Sequence, residues 1–165
     1  MAVLNWRAPV IQVSKLDQNG KPDNNWLTFP ESVRNSSRLN TDPGNETIAE
    51  DEDGGIVDSF RTKGRSVFET TIFVKKGDVK QIEDTDGIVA GNFAVRWAPK
   101  DAATTGVKGR QMLKTSVSVV ETWSSDEGSR LTYTFSGLVP GAGKRIVEEY
   151  QPEPTPPSDG GGTDG

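Results

Sequence analysis

The chain has 165 residues, 19 Lys and Arg against 24 Asp and Glu for a net charge of −5, only 32% hydrophobic residues, and neither cysteine nor histidine. A single domain of about 100–130 residues with arms to spare fits that length, and the low apolar share, with 18 glycines and 10 prolines, implies a modest core and much chain in turns. The missing residue types exclude a disulfide framework, a thiolate nucleophile, a zinc site of the sulfur type and a histidine base, and the negative charge argues against general nucleic-acid binding.

In chain order, the start Met1-Ala2-Val3-Leu4-Asn5-Trp6-Arg7 lacks the basic segment and apolar run of a signal peptide. No apolar run in the chain approaches the length of a membrane span. A strand is expected over residues 8–13, ending at the turn Asp17-Gln18-Asn19-Gly20. Residues 35–59 carry few large apolar side chains and read as a long acidic loop, with Asp42, Glu46, Glu50, Asp51, Glu52, Asp53 and Asp58 and no basic residue after Arg38. The basic residues Arg61, Lys63 and Arg65 follow it directly.

Alternation then predicts five further strands. Residues 66–75 place Phe68, Ile72 and Val74 on one face; residues 93–97 align Phe93, Val95 and Trp97. Residues 115–123 align Val117, Val119 and Trp123, and residues 131–135 alternate without a break. The turn formers 124–129 between these two make a hairpin. Residues 145–150 carry a weaker pattern around Ile146 and Tyr150. Gly106 and Gly109 interrupt the only helix-favouring region, 101–114, so at most one short helix fits there or near residues 31–39. The expected architecture is mainly β, a β-sandwich or barrel over residues 1–150 with an embedded loop at 40–59, extended terminal arms, and a Pro/Gly-rich tail over residues 151–165.

Catalytic and metal-binding constellations are weak. The run Glu50-Asp51-Glu52-Asp53 lacks EF-hand spacing and reads as a solvated loop. Asp84-Thr85-Asp86-Gly87 reads as a turn. Paired carboxylates need a shaped cleft to act on a glycosidic bond, and the modest core offers little to build one from. No catalytic residue, metal or cofactor is expected. Trp97 and Trp123 fall on apolar strand faces and are expected in the core, whereas Trp6 and Trp26 are candidate interface anchors. Lys144 and Arg145 beside Gly141 and Gly143 lack the spacing of a phosphate loop.

The stretch Phe68-Glu69-Thr70-Thr71-Ile72-Phe73-Val74-Lys75-Lys76-Gly77-Asp78, followed by the hairpin at 113–135, lies in a small acidic β chain with a long loop in its first third. That combination resembles a phage major tail protein, the subunit of a tail tube, in architecture and composition over residues 1–150. The resemblance implies stacked rings, commonly hexameric, whose loop and arms order on assembly. The partners it implies are other copies of the chain, further virion tail proteins, and DNA passing the lumen without specific binding. It places the protein in the virion, assembled in the host cytoplasm, with no enzymatic activity and no membrane. The inter-subunit candidates are Asp42, Glu46, Glu50, Asp51, Glu52, Asp53 and Asp58 of the loop and Arg61, Lys63 and Arg65 beyond it. A carbohydrate-binding or adhesive β-sandwich using exposed Trp and Tyr, and a capsid decoration protein, are the other readings.

Overall fold

The computed structural model describes residues 8–140 and 144–153, so the expectations for the N-terminal arm, Trp6 and most of the C-terminal tail lie outside the described residues. Ten strands and one short helix form: β1 Pro9–Lys15, β2 Leu27–Thr28, β3 Arg38–Asp42, β4 Glu46–Glu50, β5 Ile56–Arg61, β6 Arg65–Phe73, β7 Phe93–Pro99, α1 Ala102–Thr105, β8 Gly109–Ser124, β9 Gly128–Gly137 and β10 Glu148–Tyr150. The main sheet runs β2-β1-β7-β8-β9-β6-β3, with β10 on the side of β8, and all its pairings are antiparallel. Its end strands do not meet, so the fold is sandwich-like and not a closed barrel.

Strong curvature makes one sheet serve as both layers. Phe68 on β6 and Trp97 on β7 have two strands, β8 and β9, between them in the sheet order, yet their rings stack at 4.0 Å and 8°. The gap between β1 and β6 is bridged by the chain after β2. Phe29 N–H donates to the Ile11 carbonyl of β1 (2.8 Å) and Val33 N–H to the Thr71 carbonyl of β6 (2.7 Å). Phe29 is buried on the way, its ring 4.8 Å from that of Tyr133. Ile11, Val13, Phe68, Ile72, Val95, Met112, Leu131, Tyr133 and Phe135 fill the space between the layers. Each aliphatic or aromatic chain so buried contributes about 1.5–3 kcal/mol.

The strands expected at 66–75, 93–97, 115–123 and 131–135 form, because a sheet with one inner face selects a period of two, although the first ends at Phe73 and leaves Val74 exposed. The short helix expected within 101–114 forms as a single turn, Ala102–Thr105, stopped by Gly106 in the left-handed region at φ 72°, and residues 109–114 are strand. There β8 gains partners on both sides, β7 and β10, and that pairing outweighs local helix preference. Three other expectations need correction. In the segment 145–150 only Glu148–Tyr150 is strand. Trp123 keeps the parity of Val117 and Val119 but is 72% exposed, because the β8–β9 hairpin runs beyond the layer that would cover it.

The third correction is the largest. Residues 40–59 are no loop: β3 occupies their start and β4 and β5 form a two-stranded hairpin. The sequence 47–49 and 56–60 supplies the β-branched and aromatic residues that a pleated ribbon favours. The acidic residues that suggested a loop concentrate at the tip and along the exposed faces, where strands tolerate them. The register carries through from body to arm: Asp42 faces Arg65 in the β3–β6 ladder and Glu46 faces Arg61 in the β4–β5 ladder. Between them Thr62 N–H donates to the Asn45 carbonyl at 2.9 Å. Thus β3–β4 and β5–β6 are two long strands of one ribbon, interrupted at a neck of Pro43, Gly44, Lys63 and Gly64. Proline removes a ladder donor there. A Cβ at Gly44 would run into the Thr62 carbonyl, and one at Gly64 into the Asp42 carbonyl, so the two chains cross closer than any other residue permits.

Candidate functional site

Every residue of β4 and β5 is exposed, and among the described residues the arm has no partner strand beyond its own pair. Five residues of strand at about 3.3 Å each carry it roughly 17 Å from the neck. Its tip is a turn built by Asp51. That carboxylate accepts the Asp53 N–H (3.0 Å) and the Gly55 N–H (2.8 Å), while Gly54 turns the chain at φ 82°. Asp51 is therefore occupied in closing the turn. Among the described residues no three acidic side chains gather into a group able to hold a metal ion.

The inter-subunit candidates fall into three places. Glu46, Asp58 and Arg61 lie along the arm, with Arg61 bound to Glu46 at 2.9 Å and to the Gly44 carbonyl at 3.2 Å. Arg61 thus has a partner within its own chain. Asp58 accepts the neighbouring Ser59 N–H at 2.8 Å. Glu50, Asp51, Glu52 and Asp53 surround the tip. Asp42, Lys63 and Arg65 sit at the neck, where Arg65 reaches Ser136 of β9 at 3.5 Å. The arm strands and their turn thus hold six carboxylates against one guanidinium.

Charge drew attention to this segment, but its apolar residues are the stronger feature. Ile48, Ile56 (65% exposed), Val57 and Phe60 (67% exposed) stand in solvent on a ribbon with no core of its own. They lie on both faces of the ribbon, since Ile48 is paired with Ser59 and Phe60 with Thr47. An isolated two-stranded hairpin is marginal in water, and large apolar side chains left exposed on both of its faces mark a segment that another molecule covers. The only sign of it in the sequence is the β-branched pair Ile56-Val57 with Phe60, masked by the surrounding acids. On the β8–β9 hairpin Trp123 is exposed near the tip, and Val120 is exposed on the opposite face of β8. No protein-family model matches the chain, and no curated protein matches its sequence.

Proposed function

We propose that the chain is a structural subunit that assembles with copies of itself through the 46–61 arm, and that the assembly is a phage tail tube of stacked rings. The observation that carries this reading is the arm, which holds Ile48, Ile56, Val57 and Phe60 outside the body that could have buried them. Covering each of these on a neighbour is worth about 1.5–3 kcal/mol before ordering costs. A heterologous contact of this kind, arm to body, closes into a ring or continues as a tube. The exposed edge of β3 is a further place for strand pairing between copies. The acidic balance suits a lumen that lets DNA pass without holding it.

Negative-stain electron microscopy of the concentrated protein tests the reading. Rings or tubes of uniform width are expected. The triple substitution Ile56→Ser, Val57→Ser and Phe60→Ser is expected to leave monomers with an unchanged circular-dichroism spectrum. A wild-type chain that stays monomeric at high concentration, with and without tail partners, would sink it.

A further inference from the structure

Away from the arm, the outer face of β1 and β7 carries a cleft of about 510 Å³. Gln12 and Arg96 face each other there across the strand pair. The Arg96 guanidinium packs against two aromatic rings, its carbon 4.0 Å from the Trp26 ring centre and 5.1 Å from that of Tyr150. Arg96 Nε donates to Gln12 Oε1 at 2.8 Å. That bond uses one of five N–H groups. The terminal amino groups have no hydrogen-bond partner and no carboxylate within ion-pair distance among the described residues. Lys100 and Glu153 stand at the rim, and Val10, Ala98 and Pro152 wall the cleft.

A half-buried cation whose neighbours are two π faces and an amide is poorly compensated. Burial pulls the Arg96 pKa below its usual range, with the charges of Tyr150 and Glu153 acting the other way. With two rings packed against the guanidinium and Nε held by Gln12, the edge of the two terminal amino groups is what a ligand can reach. A carboxylate meets that edge with two parallel hydrogen bonds, and its carbon chain can lie along Val10, Ala98 and Pro152, a contact that inorganic phosphate cannot make. The cleft volume is in the ordinary range for a small ligand or a peptide side chain.

We propose that this cleft is a carboxylate-binding site, with Arg96 presenting the bidentate edge, Trp26 and Tyr150 packed against its guanidinium, and Lys100 adding charge at the entrance. Glu153 competes for the same cation from the rim. The site is formed by one copy of the chain and is independent of arm-mediated assembly.

The test follows the Arg96 Nε–H resonance by 15N NMR in the full-length chain carrying the three arm substitutions, so that size is no obstacle. The ligands are glutarate, a capped peptide copying residues 50–55, and inorganic phosphate. A saturable shift with glutarate or the peptide, and a weaker response to phosphate, is expected. A peptide about ten-fold tighter than glutarate identifies a protein strand as the source; equal affinities identify a free carboxylate. Arg96→Lys keeps the charge and loses the fork, and is expected to weaken binding about ten-fold or more. Glu153→Gln is expected to tighten it a few-fold by removing the competitor, a gain that a purely structural arginine would not produce. If Arg96→Lys perturbs the fold, the Glu153→Gln comparison decides alone. No saturable shift at about 10 mM ligand, phosphate binding at least as tight as glutarate, or no response to Glu153→Gln overturns the proposal and leaves Arg96 as a clamp on Trp26 and Tyr150.

Discussion

Tyr133 buries its whole side chain beside Phe29 and Phe135, and its hydroxyl has no hydrogen-bond partner among the described residues. A buried unpaired hydroxyl costs about 1–3 kcal/mol. Tyr133→Phe removes that cost while keeping the ring, so urea unfolding is expected to show equal stability or a gain of up to about 1 kcal/mol. Burial, and secondarily the charge of Asp84, pushes the Tyr133 pKa from 10.0 up to about 12. The unfolded chain therefore ionises first as pH rises. The stability contributed by the neutral phenol is complete below pH 10 and drains away between about pH 10 and 12. Wild type is expected to lose more stability than Tyr133→Phe across that window, and parallel curves would refute the account. The Phe68–Trp97 stack is the other decisive contact. Phe68→Ala is expected to cost about 3–5 kcal/mol, and a double-mutant cycle with Trp97→Ala should return a coupling of about 0.5–1.5 kcal/mol. The parity of Trp97 and Trp123 was legible in the sequence; where the covering layer stops was not, because that depends on strand lengths set by pairing.

At the scale of elements, the arm and the body are held by different forces. β8 and β9 are fixed by ladders on a packed inner face, whereas β4 and β5 have little beyond their own mutual hydrogen bonds. Amide hydrogen exchange is expected to be fast in 46–61 and slow in 115–119 and 131–135, following local stability. Replacing residues 46–61 by a two-glycine turn is expected to change the unfolding free energy by less than about 1 kcal/mol, since no core residue is lost. The same deletion should abolish assembly. Gly64→Val is expected to separate arm from body differently, by forcing the neck apart at the Asp42 carbonyl, with a loss of roughly 1–3 kcal/mol from the β3–β6 ladder. Most of the strands were legible because one face of each is buried, which writes a period of two into the sequence. The arm was not, since both of its faces meet solvent in the single chain and no burial filters its residues. Only the β-branched run 56–57 and Phe60 betray it.

For the molecule as a whole, one curved sheet with a bridging segment across its open side leaves two exposed edges and two apolar projections, the arm and the Trp123 hairpin. Self-association through the arm should be driven mainly by apolar burial. Raising salt is then expected to leave it intact or strengthen it, because screening removes repulsion among the acidic tips while leaving hydrophobic contacts in place. Sedimentation velocity from low to high salt checks this; dissociation at high salt would instead place ion pairs at the centre of the contact. None of this was open to reading from composition, which gives the number of charges without the surfaces they share.

The unbroken register between arm and body has a consequence for how such a chain can vary. Two residues added to each strand of the ribbon beyond the neck move the tip outward by about 6–7 Å and leave every pairing in the body unchanged. A single residue added to one strand would instead turn all later side chains to the opposite face. Reach is therefore a quantity adjustable in fixed steps, independent of the core, and paired insertions here can lengthen the arm without refolding anything else.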